Sequence, residues 1–441
     1  MATAKKTESR ARAPRKTVVR ADTTPKAASS QESGRQVLVR MYNVGFGDCF
    51  LIEAPNGDDA VVRILVDCGS IAAPASLAMS DVVETLLSDV TDSNGKPRID
   101  VVVCTHRHAD HVSGFSRAAW KDLQVKEVWF PWTEDPKDDA ARSIRETQSR
   151  LALALQAHWQ ARLAAHGDDA AAHRWLDLAV NALSNEASMS MLHSGFKSKP
   201  KRRFLSSDGS PTPVETDVLA GLTAYVLGPS KDEAIIRDID PPSGTTYLRQ
   251  IADDQSAGQP FEPFADDWVV EPSAFMWTNL MVKPGDQTAM QEAAQAWNPA
   301  VAVALEQAVN GTSLVLAFEI DDVVLFFPGD AQWGTWNAFM KNSKSKELLS
   351  RAKFWKVGHH GSHNATPIDF VAKTASQTCC AMMSTKTGKF ASIPRGPLVE
   401  AIKSRGLPFA RSDEPDKAPE RSFLRRSTSI IEAKIPVGDS S

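Results

Sequence analysis

Six of the ten histidines fall into two short runs, and these runs carry most of the chemical information in the chain. The first reads Thr105-His106-Arg107-His108-Ala109-Asp110-His111 and directly follows the apolar stretch Ile99 to Cys104. On an extended segment His106 and His108 project to the same side. Asp110 and His111 turn into the following element and present a second pair. Imidazole and carboxylate groups are ligands for divalent ions such as zinc or manganese. The spacing therefore suits two adjacent metals, one taken by each pair. The alternative, a polar strand end with satisfied histidines, is disfavoured because such groups are costly to hold together without a ligand.

Two further segments follow the same logic. Val323 to Asp330 places a carboxylate just past an apolar strand pattern and a Pro-Gly turn. An aspartate there can bridge two ions with one oxygen on each, although the same position also suits a turn or helix cap. Lys356-Val357-Gly358-His359-His360-Gly361-Ser362-His363 ends another apolar run with three histidines, and its small residues permit close backbone approach. The candidate metal ligands are thus His106, His108, Asp110, His111, Asp330, His359 and His360.

These segments need elements to carry them. Strand patterns cover Val37 to Asn43, Cys49 to Glu53, Val61 to Val66, Ile99 to Cys104 and Gln124 to Phe130. They resume at Leu222 to Leu227, Ser313 to Ile320, Val323 to Phe327, Phe354 to Val357, Cys379 to Met383 and Ser429 to Ile435. Helical spacing marks Ser76 to Ser88, Trp336 to Ser350, Ile368 to Thr374 and Pro397 to Ser404. Two stretches break the alternation. About 138–210 reads as a helical insertion of two or three helices ending in the basic run Lys197 to Arg203, and about 231–300 as a polar, Pro-rich one. One mixed α/β domain over 36–441 with two insertions is expected.

Composition sets the outer limits. The chain has 441 residues, is 42% hydrophobic and 24% charged, and carries a net charge of −4, which excludes fibrous and wholly disordered classes. Residues 1–36 hold nine Lys/Arg against Glu8, Asp22 and Glu32, a balance of +6 without hydrophobic period. A disordered basic tail is expected over 1–35, and the acidic remainder argues against a broad nucleic-acid groove. No apolar run reaches the roughly 18 residues of a membrane span, and the N-terminal stretch contains no apolar core of signal-peptide type, so a secretory signal is not expected. Five cysteines without CxxC spacing read as buried thiols, so a reducing, cytoplasmic compartment is expected.

Taken in order, Asn43-Val44-Gly45-Phe46-Gly47-Asp48-Cys49, Leu65-Val66-Asp67-Cys68-Gly69, Thr105 to His111, Pro328-Gly329-Asp330 and His359-His360-Gly361-Ser362 resemble the metallo-β-lactamase superfamily. The pattern is most similar to the soluble hydrolase domain of bacterial DNA-uptake competence proteins. The likeness covers roughly residues 36–135, 220–230 and 305–435, and neither insertion belongs to it. It implies a four-layer αββα sandwich and hydrolysis by a metal-bound hydroxide. By the resemblance, His106 and His108 bind one ion, and Asp110 and His111 the other. Asp330 bridges, and His359 or His360 completes the second site, while Asp67 braces the histidine loop. Two positions depart from the pattern: Gly228 and Ile393 stand where relatives carry histidines. These departures predict a first ion held by fewer protein ligands, with His363 or His193 as candidate substitutes.

The resemblance favours a phosphodiesterase or nuclease. Asp110 would orient the nucleophile, and His360 or His363 would protonate the leaving group. Lys197 to Arg203 and the tail could contact phosphates, and Trp129, Trp132, Trp333, Trp336 and Trp355 could stack on a base. For both groups the plainer use, an exposed loop and core packing, stands beside this. The alternatives are a thioesterase, lactonase or phosphorylcholine-type esterase on the same metals, or a degenerate site that leaves a scaffold binding a protein partner through the insertions.

Overall fold

The computed structural model describes residues 35–438 except 57–59, 75–76, 167–169, 184, 239–240, 248–304, 306, 363–364 and 391–392. The basic tail, most of the second insertion and His363 lie outside the described residues. The fold is mixed α/β with two mixed sheets of eight and seven strands. The first sheet is built from β1 (Gln36–Tyr42), β2 (Cys49–Asn56), β3 (Ala60–Cys68), β4 (Arg98–Val103), β5 (Gln124–Pro131) and β6 (Lys201–Leu205). The second takes β7 (Thr212–Pro213), β8 (Thr223–Gly228), β9 (Val315–Ile320), β10 (Val323–Phe327), β11 (Ala352–Lys356), β12 (Cys380–Met383) and β13 (Phe409–Arg411). The chain then returns to the first sheet through β14 (Phe423–Ser427) and β15 (Ile430–Pro436), giving the orders β14-β15-β1-β2-β3-β4-β5-β6 and β13-β12-β11-β10-β9-β8-β7.

Strand alternation explains the layering. Val37, Val39 and Met41 of β1, Phe50 and Ile52 of β2, and Ile64 and Val66 of β3 share one cluster with Leu316 and Phe318 of β9 and Leu325 and Phe327 of β10. Residues one position away point to the opposite faces. Leu51, Leu65 and Val102 pack beneath the helix Met79–Asp89, whose Val82, Val83 and Leu86 recur at helical spacing. Val324 and Phe326 pack beneath the helices Trp333–Lys341 and Gly396–Ser404. All five cysteines are buried and form no disulfide. Among the described residues no helix is long and apolar enough to cross a membrane.

Most expected elements are present, with instructive differences. The single helix expected over Trp336 to Ser350 is two, because the Asn342 side chain accepts from the amides of Lys344 and Ser345 and starts a second helix at Ser343. The helical insertion contains Asp139–His166, Ala170–Leu183 and Glu186–Ser190. Its basic end is no loop: Lys201–Leu205 pairs in parallel with β5. Three consecutive cations hid this strand, yet Arg203 is spent on a bidentate pair with Glu127 at 2.6 and 2.8 Å. Lys197 likewise pairs with Asp122 at 2.5 Å.

The strands β3-β4-β5 and β10-β11-β12 pair in parallel and position the candidate site. Their carboxyl ends carry the loops bearing Asp67, the first histidine run, Asp330 and the second histidine run. Open α/β sheets place ligand sites at such ends.

Phe326 is fully buried, with ring centroids of Trp336, Phe339 and Phe370 at 5.6, 5.9 and 5.4 Å. Phe326→Ala should therefore lower unfolding free energy by about 3–5 kcal/mol in a urea titration. A loss below about 1 kcal/mol would mean this core relaxes into the space, against the packing described here.

Candidate metal centre

The histidine loop is set by its surroundings before any ion is considered. Asp67, at the end of β3, accepts from Thr105 N at 2.8 Å and Thr105 Oγ1 at 2.6 Å, and its Oδ2 lies 2.8 Å from His111 Nδ1. Burial raises the Asp67 pKa, while His111 and Thr105 pull it back. The loop also needs close backbone contact at Gly69, where a Cβ would fall 2.5 Å from the His111 nitrogen. Asp48 N donates to Asp110 O at 2.9 Å and Gly69 N to Asp48 O at 3.0 Å, which ties the three segments together.

Three groups of potential ligand atoms converge among the described residues, one of them Asp48, Asp67 and His111, and the other two share Asp110. Those of Asp110, His111, Asp330 and His360 lie within 4.8 Å of one another, as do those of His106, His108 and Asp110, and every member is buried. Asp330 Oδ1 is engaged by Lys356 Nζ at 3.2 Å and His359 N at 3.1 Å. Its Oδ2 is the oxygen turned to His111 Nε2 at 3.2 Å and His360 Nε2 at 3.7 Å. The expected bridge with one Asp330 oxygen on each ion therefore does not match this geometry.

Ring orientations are consistent with ligation. His360 Nδ1 lies 2.9 Å from the Ser384 carbonyl, so it carries the proton and leaves the Nε2 lone pair facing Asp110 Oδ2 at 3.2 Å. His111 repeats the pattern, with Nδ1 on Asp67 and Nε2 on Asp330. His106 Nδ1 is held by hydroxyls of Thr105 at 3.1 Å and Ser313 at 3.2 Å, and its Nε2 lies 3.1 Å from His108 Nδ1. Lone pairs aimed at carboxylates repel unless a proton or cation lies between them. Asp110 Oδ1 is buried and accepts no hydrogen bond, which fits the residues to a divalent cation.

Charge tells the same story. Burial works to raise the Asp110 and Asp330 carboxyls, yet both are held well below the usual range, mainly by His111, with His360 on each and Lys356 on Asp330. Burial opposes protonation of His111, but Asp330, Asp110 and Asp67 push it well above its ordinary value. Burial and then the neighbouring His111 and His108 keep His106 neutral, as a ligand must be. Lys356 is buried among Asp48, Asp330 and the Gly329 carbonyl, and its pKa is raised by these carboxylates against its burial. Asp67, His359 and His360 adopt left-handed backbone, φ 57°, 47° and 51°. Each such residue costs about 1–3 kcal/mol, a strain found most often at functional sites.

Other expected site residues lie elsewhere. His359 falls outside these ligand groups, with its Nε2 3.3 Å from Asn310 Nδ2. His193 stacks on Phe130 at 4.5 Å and cannot complete the first group. At Gly228 a Cβ would meet Thr335 Cγ2 at 2.5 Å, so the departure there is filled by packing. Trp129, Trp132, Trp336 and Trp355 are buried among other side chains. Sequence reasoning passed over Asp48 and Lys356. The signal for Lys356 was a cation closing an apolar strand, Ala352–Lys356. Compared with known proteins, the chain matches no family model and no curated sequence.

Lys356→Met should leave Asp48 and Asp330 buried without their lysine. In urea titrations of the metal-free protein the expected loss is about 3–5 kcal/mol. Zinc should restore part of it. Unchanged stability would show that the pocket does not depend on this charge.

Proposed function

We propose that the chain is a metal-dependent hydrolase of the metallo-β-lactamase type, on a four-layer αββα sandwich, acting on phosphodiesters. The observation that carries this reading is the convergence of His106, His108, Asp110, His111, Asp330 and His360 on one buried pocket at the strand ends of both sheets. Two divalent cations, zinc or manganese, would supply a Lewis acid and lower the pKa of an attacking water.

The protein groups divide the remaining work. His106 and His108 would hold one ion, His111, Asp330 and His360 the other, with Asp110 between them. Asp110 Oδ1 is the oxygen left to accept a hydrogen bond from the nucleophile and so to aim it. Asp67 and Ser384 fix the tautomers of His111 and His360. With Ser384 at one nitrogen and Asp110 at the other, His360 serves as a ligand rather than the acid. His359 is better suited to protonate the leaving group. The Asn310 amide donating to its Nε2 puts the ring proton on Nδ1.

Within this class a small diester fits better than a nucleic acid. Lys197 and Arg203 are paired internally, and four of the five tryptophans considered for stacking are core residues. The direct test compares bis(p-nitrophenyl) phosphate, a thioester and single-stranded DNA at equal metal loading. Turnover of the diester is expected, falling by about 100-fold or more in Asp110→Asn with the fold retained. Turnover of the thioester alone would move the protein to another hydrolase class. Unchanged diester turnover in the variant would remove Asp110 from catalysis.

A further inference from the structure

The helical insertion lies outside the family-like segments, yet it is bonded directly to the histidine loop. Asn181, on the helix Ala170–Leu183, accepts from the Asp110 amide at 3.3 Å. Asn185, one turn further on, donates from Nδ2 to the Arg107 carbonyl and to Asn181 O, the latter at 2.9 Å. Both asparagines are buried. Arg107 is clamped from the other side by Glu134, at 3.0 and 3.1 Å. The backbone carrying His106, His108 and Asp110 is therefore held at the Arg107 carbonyl and the Asp110 amide by two side chains of the insertion, while Glu134, which precedes the insertion, holds the Arg107 guanidinium.

The same helix makes a second contact, outside the histidine loop. Asp177, one turn before Asn181, pairs with Lys389 at 2.6 Å. Lys389 precedes Phe390, whose ring lies 4.9 Å from Phe46, and Phe46 lies 4.3 Å from His360. One helix face thus contacts the loop bearing the first ligand group and, through Lys389, a segment whose Phe390 packs on Phe46, the ring that lies against His360. Leu178 of this helix belongs instead to the small apolar cluster of the insertion, with Leu151, Leu155 and Val309.

We propose that Asn181 and Asn185 are positioning residues of the metal centre, through which the insertion sets the geometry of the His106–Asp110 loop. The proposal rests on the metal-centre reading above. Groups that hold a ligand without touching the ion generally contribute tenfold to a hundredfold to metal affinity. A residue that only packs the insertion contributes to stability and leaves affinity alone.

The test uses the full chain and zinc alone, titrated in competition with a chromophoric chelator, with thermal melting recorded on the same samples. Asn181→Ala and Asn185→Ala should each weaken zinc binding by about tenfold or more. Leu178→Ala should lower the melting temperature and keep wild-type affinity. Should Asn185→Ala fail to fold, Asn181→Ala, which removes the amide that accepts from Asp110 N, carries the test. Wild-type affinity in the folded asparagine variants would overturn the proposal while leaving the metal centre intact. An equal loss in Leu178→Ala would overturn it too, since general loosening would then account for the effect. A wild-type chain that takes up no zinc would overturn both readings together.

Discussion

Asp48, Asp67, Asp110 and Asp330 are all buried within one pocket, and compensating those carboxylates is the constraint on which the local structure depends. An uncompensated ion in a protein interior costs several kcal/mol. Each carboxylate has a distinct answer. Asp67 is met by Thr105 and His111, Asp48 by Lys356, and Asp330 by Lys356 and His111. Asp110 is met by His360 through one oxygen, while its other oxygen accepts no hydrogen bond. Asp110, the residue shared by two ligand groups, thus keeps a buried oxygen that accepts no hydrogen bond, and a divalent cation would be stabilising there.

The architecture follows from the need to bring these groups together. No single strand end can present so many ligands, and the two sheets supply them in halves. The first sheet contributes Asp67 at the end of β3 and the first histidine run beyond β4, and the second contributes Asp330 and His360 beyond β10 and β11. A hydrogen bond from Leu314 N to Thr105 O at 2.8 Å joins the edges at the pocket. Left-handed backbone at Asp67, His359 and His360 is the local cost of aiming side chains from loops this short.

Much of this was legible in the sequence because burial and ligation leave strong local marks. Apolar runs of strand length located β1 to β5, β8 to β12 and β15, and dense histidine spacing located the candidate site. What escaped notice were the features decided by partners distant in sequence. β6 was hidden because its three cations read as solvent-facing until Glu127 is placed opposite Arg203. β14 is an edge strand with mostly exposed residues and so lacks an apolar period. The choice between His359 and His360 could not be read from adjacent identical residues, since it depends on Ser384 fixing one of the rings. Asn181 and Asn185 carried no signal at all, because an asparagine in a helix is ordinary until its long-range partner is known.

The central claim, that this pocket is built for two divalent ions, is tested most directly by elemental mass spectrometry of the chain purified without chelator. The account predicts about two zinc or manganese ions per chain, and fewer in His108→Ala. No ion in the wild type, even after metal is added back, would contradict it, and the buried carboxylates would then be neutralised by protonated histidines and Lys356 alone.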